Sequence, residues 1–400
     1  MPALRLLCLA VLPGLMAATA TRAQSPPDLP LKEDDVIRIE CLWDKDEIPP
    51  GFDPDKKPEK GLWHYDLFLP NGYSTDKTRR YPCLFVSSPV GEAKRFLPLY
   101  KDWLQRNGWL AVMLVESRNG TIEPCLGNFL SAHDDAIKRL RIIDTMKAAA
   151  GMSGGARMSS LFAQIRPGFR GIFLQGAGFS QTTAGRYWMH DLPADGSVAV
   201  YLAIGNKDPN APDAGHLRDS LPPAIPYLPR FFEGGHVPPP PALAADAMDW
   251  LARRMWLSAT ADKSARAEVP GLVKRVAARI PAETSPVSRH ALLRDIAELV
   301  KTYTLASHPD IAPLMPGFSR QFAEVKKDPA VVLEIKAAAT LSAMCELQRK
   351  TAARAAKLSD MDARKALWSE FCAACESTAA PFSETKSGKE CLALAKGLAP

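Results

Sequence analysis

Beyond residue 25 the chain has no run of about 18 uninterrupted apolar residues, so nothing in its body is long enough to span a bilayer. It also lacks a basic stripe with interleaved aromatics and any zinc-finger spacing. With a formal net charge of only +6, and charges of both signs interspersed, that excludes nucleic acid as an expected partner. No internal repeat of convincing period is present. Histidine is scarce, seven in 400 residues, so each one available for acid–base work can be weighed singly.

What is present begins with MPALRLLCLAVLPGLMAATATRAQS. Arg5 precedes an apolar run broken by Pro13 and Gly14, and small residues follow to Ala23; this predicts a cleaved signal peptide over 1–24 and a secreted or periplasmic product with no membrane span after cleavage. The remaining chain exceeds what one core usually holds, which predicts two domains. Removal of Cys8 leaves Cys41, Cys83, Cys125, Cys345, Cys372, Cys375 and Cys391. In an oxidising compartment some should pair, and the odd count leaves at least one over. Four of them crowd into the tail, which predicts a helical segment stapled by up to two disulfides. FCAACES is a CxxC with no histidine after it, so a structural role is preferred to a redox or haem role.

From 25 to 257 short β-rich runs alternate with amphipathic helical stretches. VIRIECLW, LWHYDLFLP, PCLFVSS and WLAVMLVES read as strands, as do GIFLQGAG and SVAVYLAIG; YLPRFFEGGH suits a last strand running into a loop. FLPLYKDWLQRNG and FLSAHDDAIKRLRIID read as helices. Such alternation predicts an α/β domain, a mainly parallel sheet with helices on both faces. From 258 to 400 strand signals stop, and periodicity near 3.6 predicts an all-α helical domain.

Into this pattern falls GMSGG, residues 151–155. With 25 glycines and 24 serines, about 0.1 accidental GxSxG matches are expected, so context must carry it. The motif stands between the run TMKAAA and the helical GARMSSLFAQI, where a strand-turn-helix would pin Ser153 in a nucleophile elbow. The three alanines favour helix over strand locally. A serine hydroxyl needs a base oriented by an acid. Downstream, GNKD sets Asp208 just past one strand and EGGH sets His236 in the loop after the next, at the sheet edge that carries the elbow. Asp213 and Asp195 are the other candidate acids. His190 reads as a pocket wall, His216 as a surface residue, and His64 and His133 as structural.

YDLFLPNGY (65–73), GMSGGARM, GNKD and EGGH together resemble the α/β-hydrolase superfamily, and within it secreted bacterial esterases of the polyhydroxybutyrate-depolymerase and feruloyl-esterase type and related prolyl-oligopeptidase-like hydrolases. The resemblance covers the region 36–257. It implies a Ser153, Asp208, His236 triad, acyl-enzyme chemistry and no metal or organic cofactor. Gly154 would supply one oxyanion donor. Where such esterases often carry His-Gly, this chain has FVSSPVGEA; Pro89 has no N–H, so the second donor falls to Ser88 or Val90. Met152, Phe179, Tyr187 and Trp188 are the candidate substrate-binding residues.

The sequence therefore predicts a serine hydrolase for a small-molecule or polymer-derived ester. Its rivals are a prolyl-oligopeptidase-like peptidase and a non-catalytic binding protein on the same fold.

Overall fold

Tyr81–Ser87 is buried along its whole length, and so are Leu110–Leu114 and Ala199–Gly205. Strands without a solvent face belong in the middle of a sheet covered on both sides. The structure is a computed structural model; it describes residues 32–42, 63–120, 122–182, 185–355 and 357–397, so the segment 1–24 lies outside the described residues. Among these, one sheet holds β1 (Val36–Glu40), β2 (His64–Phe68), β3 (Tyr81–Ser87), β4 (Leu110–Leu114), β5 (Ile142–Met152), β6 (Phe169–Gln175), β7 (Ala199–Gly205) and β8 (Tyr227–Phe232). Its spatial order is β1-β2-β4-β3-β5-β6-β7-β8. The pairs β1/β2 and β2/β4 are antiparallel, and all later pairs are parallel.

Side-chain alternation divides the sheet between two helical layers. Leu84, Val86, Ala148, Ala150 and Phe173 face α1 (Leu97–Asn107) and α5 (Pro241–Ser258), whose Tyr100, Trp103, Met248 and Met255 complete that core. Phe85 and Phe169 face the other way, toward α2 (Ile122–Arg139) and α3 (Gly154–Ile165), where Phe129 and Phe162 stack with centroids 3.9 Å apart. Helix α1 stops as its Asn-Gly ending predicts: Gly108 adopts φ 67° and donates its N–H to Leu104.

One boundary differs from the sequence reading. The helix expected to run through Asp144 ends at Arg139, and Ile142 begins β5. The residues TMKAAA, helical by propensity, are strand because both neighbours, β3 and β6, pair with them, and tertiary pairing outweighs the few tenths of a kcal/mol per alanine.

After Ser258 come α6 (Lys263–Arg279), α7 (Pro286–Thr302), α8 (Met315–Val325), α9 (Pro329–Ala355), α10 (Met361–Ala379) and α11 (Lys386–Gly397). Asp262 and Ser285 cap α6 and α7 through backbone N–H groups of Ala265 and Ser288. Val273 and Ile296 of this segment join the core formed by Phe173 and Tyr201 of the sheet. Farther along, α9, α10 and α11 make a small core of their own with Met344, Phe371, Cys372, Cys375 and Cys391. Cys41, Cys83, Cys125 and Cys372 are buried free thiols. With Cys372 reduced, two bridges among the four tail cysteines do not form; the side chain of Cys345 lies outside the described residues.

Candidate active site

Ser153 occupies the single residue between β5 and α3, with φ 54° and ψ −119°. A positive φ is costly for a residue with a Cβ, of order 1–3 kcal/mol, so the surroundings must hold it. The Ser153 N–H donates to the Gln175 carbonyl of β6 at 2.8 Å, and its own carbonyl accepts from Ala156 and Arg157 in the first turn of α3. The glycines on either side are demanded by backbone contact. A Cβ on Gly151 would lie 2.4 Å from the Gly155 carbonyl carbon, and one on Gly155 would lie 2.5 Å from the Ser87 carbonyl oxygen. The strand, turn and helix therefore approach one another as closely as bare backbone allows.

Gly154 answers to a side chain instead. A Cβ there would fall 1.8 Å from Asn119 Oδ1. Asn119, in the turn after β4, also donates its backbone N–H to Pro89 at 2.8 Å, tying that turn to the loop after β3.

His236 reaches the elbow from the loop after β8. Its Nε2 is 2.8 Å from Ser153 Oγ and its Nδ1 is 2.8 Å from Asp208 Oδ2. Asp208 is buried, and its second oxygen accepts the Asn210 N–H at 2.8 Å. The two loops close on each other at glycine: a Cβ on Gly205 would meet the carbonyl oxygens of Gly234 and Gly235 at 2.3 and 2.4 Å. GNKD and EGGH are thus two halves of one packed corner. Ser153, His236 and Asp208, separated widely in sequence, form one hydrogen-bonded chain at the carboxyl edge of the parallel strands.

Strand order, parallel core, elbow after β5 and the acid and histidine after β7 and β8 coincide in one molecule. This is the α/β-hydrolase fold. No protein-family model matches the chain, and no curated protein matches it either. Among solved structures the chain is similar to a ferulic acid esterase, at 17% identity over 48% of this chain and 91% of that one, with a TM-score of 0.36. It is similar to an S-formylglutathione hydrolase from Staphylococcus aureus, at 13% identity over 55% and 99%, TM-score 0.39, and to a bacterial heroin esterase, at 16% over 55% and 84%, TM-score 0.39. At such scores the fold rests on the topology, and the chemistry on the residues.

On the side facing Ser153 the α/β-hydrolase core opens into a cleft of about 590 Å³ lined by Val90, Phe96, Leu99, Met152, His236 and Pro238, among others. Val90 is 58% exposed there, and its N–H donates to its neighbour's side chain, Ser88 Oγ, at 3.2 Å, long for such a bond. Ser88 itself is buried. Gly154 opens α3, so its N–H belongs to the first turn, which has no intrahelical acceptor.

Other candidates lie elsewhere. Phe179 is fully buried and packs edge-on against Tyr187, whose hydroxyl donates to Asp213 at 3.1 Å; burial, then the Asp213 charge, push that phenol well up. Asp213 also accepts Gly178 N–H at 2.8 Å and Arg157 at 3.3 Å, so this carboxylate holds the loop after β6 and does not face His236. Phe179, Tyr187 and Trp188 do not line the cleft; the exposed Trp188 is held through its backbone, its N–H donating to the Ser180 carbonyl and its carbonyl accepting from the Gln164 side chain at 3.0 Å. His190 is 88% exposed beside Asp191 and is a surface residue, not a pocket wall. Asp195 is a surface residue that accepts the Ser197 N–H.

Asn119, Arg157 and Arg95 had no place in the sequence reading. RNG at 118–120 was a turn signal that could have raised Asn119; no local pattern marks the two arginines.

Proposed function

We propose that the chain is a serine hydrolase of carboxylic esters, secreted or periplasmic, with Ser153 as nucleophile, His236 as general base and Asp208 as its orienting partner. His236 Nε2 takes the proton as Ser153 Oγ bonds to the ester carbonyl carbon, and the carbonyl oxygen becomes an oxyanion. The Gly154 N–H and a backbone amide of residues 88–90, Val90 being the one that borders the cleft, receive that charge. His236 then returns the proton to the departing alkoxide, the carbon–oxygen bond breaks, and an acyl-enzyme remains. Water repeats the sequence and frees the acid. Asp208 holds Nδ1–H, which keeps Nε2 unprotonated and facing the serine.

The observation that carries the reading is the unbroken Ser153–His236–Asp208 chain at the mouth of an apolar cleft. Hydrolysis of 4-nitrophenyl acyl esters of graded length, measured beside aminoacyl-peptide anilides, tests it. Ester turnover abolished in Ser153→Ala is the expected result. Preference for the anilides would move the reading to a peptidase, and turnover of neither would leave a binding protein on a hydrolase fold.

A further inference from the structure

The cleft beside Ser153 is apolar with one exception. Phe96, Pro98, Leu99, Pro238 and Met152 supply its walls, and Arg95 is the one residue with a permanent charge among those that line it. Among the described residues no carboxylate lines it. Arg95 sits in the turn Ala93–Phe96 ahead of α1, and among the described residues its guanidinium makes no hydrogen bond or ion pair. Arg95 is exposed at the cleft's edge, whereas the charges nearest it in sequence are engaged with one another. Glu92 is shared by Arg38 and Lys94, and Lys94 also reaches Asp66 at 4.0 Å. Among the described residues that line the cleft, none is an anion that could neutralise Arg95.

An exposed arginine left unpaired at the edge of an apolar cleft is placed to receive an oxyanion. Its planar fork of N–H donors matches a carboxylate, and that match is worth more beside apolar walls than in bulk water. Resting on the reading of Ser153 as an ester-cleaving nucleophile, we infer that the preferred substrate is an ester bearing a carboxylate a few carbons from the scissile bond, its apolar segment along Phe96 and Leu99 and its anion on Arg95. The carboxylate belongs either to the acyl group, as in a half-ester of a dicarboxylic acid, or to the alcohol; both present the same chemistry to Arg95.

Two matched pairs separate these sources: 4-nitrophenyl hydrogen glutarate against 4-nitrophenyl methyl glutarate, and the butyrate of 4-hydroxybenzoate against the butyrate of its methyl ester. For the wild-type protein, kcat/KM should favour the charged member of one pair by about tenfold to a hundredfold, the range of a charge-assisted hydrogen bond. That advantage should shrink with added salt while the neutral member's rate does not follow it. Arg95→Gln should bring the ratio near one, Arg95→Glu should invert it, and Arg95→Lys should retain part of it. A wild-type ratio at or below one in both pairs, with the neutral esters turned over, overturns this inference and leaves the hydrolase reading standing. A ratio unmoved by Arg95→Glu in a protein with an unaltered thermal melt also overturns it. Turnover of no ester at all overturns both. The salt dependence and the ratio are read on the wild-type chain, so the test does not depend on any variant folding.

Discussion

Strand β5 touches two aspartate–histidine pairs, one on the loop side of its carboxyl end and one under α2. At the first, His236 holds Asp208 at 2.8 Å through Nδ1 and presents Nε2 to the Ser153 hydroxyl at 2.8 Å. At the second, His133 holds Asp134 at 2.7 Å through Nδ1 and presents Nε2 to the Lys147 amine at 3.1 Å. The two dyads are alike; their third members and surroundings are not. His236 is 37% exposed at a cleft, whereas Lys147 is fully buried against Phe169. Lys147 Nζ is also tied to Asp144 at 2.6 Å, and Asp134 to Arg166 at 2.7 Å, so both ring nitrogens of His133 and the Lys147 amine have protein partners in place of a substrate. An Asp–His pair becomes catalytic only when the far nitrogen meets a proton that a substrate can replace; otherwise it is a buried strut.

The comparison predicts that damage beyond the carboxyl end of β5 changes rate and damage at Lys147, midway along it, changes stability. The largest effect should come from Ser153→Ala, with kcat on a 4-nitrophenyl ester falling by about 10⁶ and no loss in the thermal midpoint. Asp208→Asn should follow, with kcat down by about 10⁴ because the histidine tautomer is no longer fixed. Smaller, and opposite in kind, is Lys147→Met. Stability measured by urea unfolding should fall by about 1–3 kcal/mol, the cost of leaving His133 and Asp144 without their donor, while kcat stays at the wild-type value. A large kcat loss there would break the distinction between the two dyads.

The smallest effect is in pH. Burial holds the His133 imidazole below its ordinary value of 6.5, so the folded protein resists a proton that the unfolded chain accepts. Stability should therefore fall as pH drops below about 6.5, by at most about 1.4 kcal/mol per pH unit. Asp134 adds a later loss. Burial pushes its carboxyl up, but hydrogen bonds from His133 and Arg166 outweigh that and hold it well below the usual carboxylate range, so its stabilisation disappears only below about pH 3.8. Unfolding midpoints at pH 7, 6 and 5 should decline in the wild type, and His133→Gln should flatten that decline.

Much of this architecture can be read from the chain. Apolar runs bounded by turn residues mark most of the strands, and the order Ser153, Asp208, His236 follows from which loops leave the same sheet edge. Glycine spacing was informative for a physical reason: Gly151, Gly155 and Gly205 each stand where a Cβ would strike backbone. Where reading failed, the deciding contact lay between segments distant in sequence. Tyr187 and Phe179 look like pocket aromatics until Asp213 draws the loop after β6 inward. Asn119 over Gly154, and Arg95 in the cleft, arise from loops whose approach no local pattern encodes. The start of β5 was missed because Ile142 continues the apolar rhythm of α2.

The central claim is that Ser153, and no other residue, is activated by its histidine. Labelling with a fluorophosphonate followed by peptide mapping tests it most directly. A single adduct on Ser153 in the wild type, absent from Ser153→Ala and strongly slowed in His236→Ala but not in His133→Gln, is the predicted result; no adduct on the wild type, or one that persists in Ser153→Ala, would contradict it.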